Sequence, residues 1–160
     1  MSIGNEIIIT ADPRGVFLEG IVYGTPLPGS CMQIKSGTAA VGGRLTYEAF
    51  DAGLDGDRRL IAVLLADSKR GGTADTALVS GDRCELYCPI AGEELNMRVS
   101  AAGTGTGDSV AVADLLIVND GDGLLIATTG TPESEPFIAI EAITDVVSTG
   151  TLVACIYTGH

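Results

Sequence analysis

The chain contains no tryptophan, and aromatic residues make up only 4% of it. Sugar-binding surfaces stack on aromatic rings, so a glycan site is disfavoured. There is one histidine, His160, the last of 160 residues. A serine–histidine or cysteine–histidine relay needs an imidazole held in a pocket, and a terminal residue is poorly placed for that. Cations are scarce: nine Lys and Arg stand against 21 Asp and Glu, a formal net charge of −12. Only Arg58-Arg59 and Lys69-Arg70 set two cations side by side. Such a surface repels a phosphate backbone, which argues against direct nucleic-acid binding. Long apolar runs are missing as well. The longest, Leu60 to Ala66, is far too short to span a bilayer, and no cationic lead with an adjoining apolar core marks a signal peptide. The expectation is no membrane contact and synthesis in the cytosol.

What is present favours strands. Glycine is abundant, at 22 residues, Val, Ile and Thr are plentiful, and mean hydropathy is +0.35. Turn clusters recur about every dozen residues, the rhythm of a sandwich or closed barrel. The fold class expected is all-β: a single β-sandwich or β-barrel-like domain over residues 16–160, with glycine-rich loops and an extended N-terminal arm over residues 1–15. The length suits one domain, and no linker or exact repeat divides it.

One stretch organises the rest, Leu115 to Phe137. Leu115-Leu116-Ile117-Val118 turns on Asn119-Asp120-Gly121-Asp122-Gly123 and returns as Leu124-Leu125-Ile126-Ala127. Asn/Asp-Gly pairs supply the positive φ that tight hairpins need, so this reads as a β-hairpin. Its strands are apolar on both faces, so both faces need cover. Further strands are expected at Val16–Tyr23, Cys31–Lys35, Leu45–Phe50, Thr76–Val79, Arg83–Pro89, Leu95–Ser100, Phe137–Ile143 and Leu152–Tyr157. Leu95–Ser100 alternates apolar with polar, the pattern of a strand with one wet face. Arg58–Asp67 fits a helix stripe and a buried strand equally well, and its β neighbours favour strand.

The arm carries Glu6-Ile7-Ile8-Ile9-Thr10, and these five residues are the candidate contact site. Successive isoleucines point to alternate sides of a strand. Such a segment can be buried in its own domain or can add itself to a neighbour's sheet edge. The apolar excess favours association with other chains.

Chemical motifs fail one by one. Cys31, Cys84, Cys88 and Cys155 are widely spaced and read as free, buried thiols, and Cys84 and Cys88 without a second pair make no zinc site. Asp120/Asp122 and Asp55/Asp57 offer carboxylates in turns. Counted from Asp120, however, the sixth and twelfth places are Leu125 and Thr131 rather than the Gly and Glu of a calcium loop. Gly103 to Gly107 lacks the Lys-Ser/Thr ending of a phosphate loop. Glu93-Glu94 and Glu133/Glu135 read as solvated loop acids rather than a glycosidase pair. No catalytic residue, metal ligand or cofactor is assigned, and an enzyme is not expected.

Gly15 to Gly20, Pro28 to Ile34, Leu86 to Pro89, Gly92 to Met97 and the stretch from Leu115 to Ile140 together resemble the capsid decoration (cement) proteins of tailed bacteriophages. The resemblance is a rhythm of strands and turns from about Gly15 to Gly159. It implies a virion protein on the capsid exterior that binds the major capsid protein as a homo-oligomer and clamps neighbouring capsomers. A trimer is favoured for a local threefold position and a dimer is open. The alternative is a β-rich ligand-binding surface module for glycans or calcium.

Overall fold

The computed structural model describes residues 7–8, 14–51, 62–66, 72–101, 109–119, 121–128 and 136–159. Among these there is no helix. The strands are β1 (Val16–Val22), β2 (Cys31–Ile34), β3 (Thr46–Ala49), β4 (Ala62–Leu64), β5 (Arg83–Cys88), β6 (Glu94–Val99), β7 (Ser109–Val110), β8 (Leu115–Val118), β9 (Leu125–Thr128), β10 (Phe137–Ala139), β11 (Ile143–Thr144) and β12 (Thr151–Tyr157). The all-β class holds, and closure happens twice. The first five strands close a barrel in the order β1-β3-β2-β4-β5, and β10-β12-β6-β9-β8 close a second. Strands β7 and β11 form a two-stranded ribbon.

Period-two alternation explains how the two barrels fit. In the N-terminal barrel one set of side chains fills the interior: Val22, Met32, Tyr47, Ala62, Leu64, Leu86, with Cys84 and Cys88 beside them. The alternate set faces outward. Cys31 pairs with Val63, and Val63 with Tyr87. This row joins the core of the C-terminal barrel, with Leu95, Met97, Leu116, Leu125, Phe137, Val153 and Cys155. Strands β2, β4 and β5 therefore fill their own barrel with one face and join the C-terminal core with the other, whereas Leu115, Ile117 and Ile126 on the second face of the β8–β9 hairpin stay half-buried. Much of the apolar excess that argued for a docking partner is used inside this chain.

Strand β6 lies at the seam. One edge pairs with β12 from Thr151↔Val99 to Ile156↔Glu94. The other edge is shared by three segments: Asn96 N donates to Ile7 O at 2.7 Å, Arg98 N to Gly29 O at 3.0 Å and Ser100 N to Leu125 O at 2.7 Å. The expected wet face of this strand is absent, for Asn96, Arg98 and Ser100 are all buried. The alternation was real, but the polar face meets the other barrel instead of water.

Two further expectations change. Thr76–Val79 is not a strand. Thr76 N closes a turn onto Thr73 O, and Leu78 N bonds to Pro26 O outside any ladder. The single strand expected over Phe137–Ile143 is two, because Ala139 N turns to Asp114 O and the chain then pairs with β7. Within Arg58–Asp67, Ala62–Leu64 is a strand, and the residues before it lie outside the described set.

Of the candidate arm, Ile7 and Ile8 are described. Ile7 is buried in the inter-barrel core and Ile8 bridges Leu95. Glu6, Ile9 and Thr10 lie outside the described residues. Ile7 thus occupies its own domain, where truncation leaves a cavity. Ile7→Ala should lower unfolding free energy by about 2 to 5 kcal/mol, readable as a shift of the urea midpoint at constant slope. An unchanged midpoint would mean that Ile7 contributes nothing to this core.

Candidate functional site

The functional candidates gather where the two barrels meet. The β8–β9 hairpin forms as its turn residues require, with Leu115↔Thr128 through Val118↔Leu125 in register. Asp122 organises the turn by accepting from Leu124 N and from Asn119 Nδ2, each at 2.9 Å. The turn is also a joint. Gly123 O accepts from Cys31 N at 2.7 Å, and Gly121 N donates to Phe50 O at 3.1 Å. The turn of one barrel is thereby bonded to the backbone of the other.

Arg98 pins the opposite side of the joint. Its side chain is almost wholly buried. Nε donates to Pro28 O at 2.9 Å and Nη1 to Gly150 O at 2.8 Å. Nη2 bonds to Ala74 O, and to Asp75 Oδ1 at 2.7 Å. A guanidinium presents five donors in a rigid fork, which is why one side chain can satisfy carbonyls from three separate segments. Its place between Met97 and Val99 read as solvent-facing. The missed signal was an arginine, with multiple acceptors to find, in a strand short of other cations.

Glu93 is also displaced from its expected role. Its carboxylate is buried, accepting from Tyr87 Oη at 2.5 Å and from Ile90 N at 2.7 Å. It is a structural cap on the β5–β6 turn, not a solvated acid. Glu133 and Glu135 lie outside the described residues.

Between the end of the N-terminal barrel and the hairpin turn lies a groove of about 370 Å³. Tyr23, Gly24, Thr25, Pro26, Glu48, Ala49, Asp51, Gly121 and Asp122 line it. At its edge Lys35 Nζ sits 2.7 Å from Glu48 Oε2 and 4.0 Å from the centre of the Tyr23 ring. The hydrogen bond to Glu48 raises the Lys35 pKa, helped by the carboxylate's charge.

The thiols sit where expected: all four cysteines are free and buried. Burial pushes Cys84 up to about 11 and Cys155 up to about 12, and it raises Cys31 and Cys88 as well. A thiol that holds its proton is a poor nucleophile. The shift also sets a pH dependence. Unfolded thiols ionise near about pH 8.5, while the folded ones stay protonated. Stability is therefore complete below that value and is lost as pH rises toward the folded values. For Cys31 and Cys155 the slope should approach about 1.4 kcal/mol per pH unit each. Urea melts between about pH 8 and pH 10 should show it, and Cys31→Ala/Cys155→Ala should flatten it. Parallel curves for the two proteins would refute the linkage.

Among the described residues no group of three or more His, Cys, Asp or Glu could hold a metal ion. Asp55, Asp57, Asp120, His160 and the Gly103 to Gly107 loop lie outside the described set. No helix there is long and apolar enough to cross a membrane.

No known protein family and no curated protein matches the sequence. Among solved structures the chain is similar to the head fiber gp8.5 N base of bacteriophage phi29, with a TM-score of 0.51 and 14% sequence identity, over 90% of this chain and 94% of that one. What this chain shares with that fibre base is its fold, along nearly its whole length.

Proposed function

We propose that this chain is a structural protein of a bacteriophage virion, seated on the outside of the head as a decoration or cement protein that binds the major capsid protein. The observation that carries the reading is the fold shared with a head fibre base over 90% of the chain. The net charge of −12 suits a position away from packaged DNA. The role is architectural rather than catalytic: binding the assembled shell and not its separated subunits stabilises the assembled state by differential affinity. The arm Glu6 to Thr10 stays a candidate shell contact in this reading, with Ile7 itself buried and Ile8 half-buried, and the surface of the folded barrels is the other candidate. A homo-oligomer, with a trimer favoured over a dimer, would place identical contacts around a local symmetry axis.

Cosedimentation of the purified chain with DNA-emptied heads of its source phage tests the reading. Saturable pelleting at a fixed ratio to capsid protein is expected, with a rise in the disassembly temperature of the heads. Heads that bind nothing and melt unchanged would end it. Light scattering on the eluting chain reports the oligomer independently.

A further inference from the structure

We propose that the free edge of β1, from Val16 to Glu19, is a self-association surface. A second copy of this chain adds its own β1 there, antiparallel to the first, about a twofold axis at Leu18. The inference goes beyond the reading of the chain as a virion protein and does not rest on it. A twofold contact builds a dimer of the free chain; a local threefold seat would use another surface.

Hydrogen-bond direction opens this edge. Strand β1 pairs with β5 from Val16 to Ile21, but with β3 only at Ile21↔Thr46 and Val22↔Tyr47. Val22 N donates to Asp82 O on the β5 side, while Ile21 N donates to Leu45 O and Tyr23 N to Tyr47 O on the β3 side. Main-chain groups alternate along a strand, so Phe17 and Glu19 also turn their N–H and C=O away from β5. Strand β3 does not extend that far, and among the described residues neither main chain finds a hydrogen-bond partner on that side. An unpaired row of donors and acceptors is a template for another strand. The edge is apolar as well. Phe17 is 61% exposed although its ring centre lies 4.8 Å from that of Tyr87, and Val16 is 51% exposed.

Self-complementarity selects a second copy as the occupant. With Leu18 opposite Leu18, each Phe17 exchanges both main-chain bonds with the second copy's Glu19, and the twofold repeats the exchange. No donor or acceptor of the free edge is left over. The same register sets Val16 opposite the second copy's Gly20. Leu45, exposed and with its carbonyl against Gly20, then covers Val16 across the axis. Length fits too. Leu45 holds the edge from Ile21 onward, and β1 begins at Val16 after a turn at Arg14, so the added strand ends where Leu45 begins. Charge permits the contact. A chain of net charge −12 repels its own copies in general, but Glu19 is matched in place by Arg44, whose Nη2 and Nε lie 3.1 and 3.3 Å from Glu19 Oε2. So short an edge builds a transient dimer rather than a permanent one.

Sedimentation equilibrium of the full chain, paired with amide hydrogen exchange at Phe17 and Glu19, tests the proposal. Wild type should pass from monomer to dimer as concentration rises, and those two amides should become protected in step. Phe17→Pro removes one edge donor and leaves the β1–β5 ladder intact, since proline is tolerated where the N–H faces outward. It should still melt cooperatively, with the dimer dissociation constant raised about tenfold or more. Val16→Lys sets a charge on the edge, a device that blocks strand addition, and should weaken the dimer similarly without altering any main-chain group. Val112→Lys, on the C-terminal barrel, should leave it unchanged. A chain still monomeric at about millimolar concentration would overturn the proposal. So would a dimer that Phe17→Pro and Val16→Lys leave intact, or a trimer whose Phe17 and Glu19 amides exchange freely. If those amides are protected only when emptied heads are added, the edge takes a shell strand and the second copy is excluded. Pelleting with heads judges the virion reading separately. A dimer that does not pellet keeps the edge and loses that reading; a monomer that pellets does the reverse.

Discussion

Replacing Gly123 with alanine should destabilise the protein by about 3 to 5 kcal/mol. Two independent penalties meet at this residue. Its φ is +67°, a left-handed conformation that costs a residue with a Cβ roughly 1–2 kcal/mol. A Cβ there would also lie 2.2 Å from Cys31 O and 3.1 Å from Phe50 N. Both are backbone atoms that cannot rotate away. The hairpin turn would have to back out of the N-terminal barrel, losing the Cys31 N bond to Gly123 O. Gly121 is the control, two residues earlier in the same turn. Its φ is +88°, but a Cβ there meets nothing within 4 Å, so Gly121→Ala should show the conformational cost alone, about 1 kcal/mol. Urea melts of the two variants separate the terms. Equal losses would mean that the turn is not docked as described.

Removing Arg98 should cost a comparable amount, about 3 to 5 kcal/mol for Arg98→Met. Methionine fills much of the volume, so the loss reports the hydrogen bonds. Pro28 O, Gly150 O and Ala74 O would be left in the seam without their donor, each a desolvated acceptor. Arg98→Lys keeps the charge yet should recover little, because a single ammonium on a flexible stem cannot reach acceptors spread over three segments. Asp75→Asn should cost under about 1 kcal/mol, since the Asp75 side chain is 79% exposed and its ion pair is screened. The ranking Met ≈ Lys ≫ Asp75→Asn identifies carbonyl satisfaction, rather than the ion pair, as the source of stability. A severe Asp75→Asn with a mild Arg98→Lys would reverse that conclusion.

The same seam separates what was legible in the sequence from what was not. The hairpin at Leu115–Thr128 was readable because turn chemistry is local: positive φ at Gly121 and Gly123 follows from the residues themselves. Thr76–Val79 looked equally strand-like but takes its hydrogen bonds from Thr73 and Pro26, so local β preference was overridden by loop bonding. The groove could not be read at all. Its lining comes from residues 23–26, 48, 49, 51 and 121–122, brought together only by barrel docking.

The sequence by itself determined the all-β class, the alternation along each strand and the hairpin, because each depends on residues within a few positions of one another. Only the tertiary structure decided that there are two closed barrels, that Arg98 and Glu93 are buried, and that Ile7 belongs to the core. The physical reason is that periodicity says which side chains share a face, while what covers that face is set by contacts between segments dozens of residues apart.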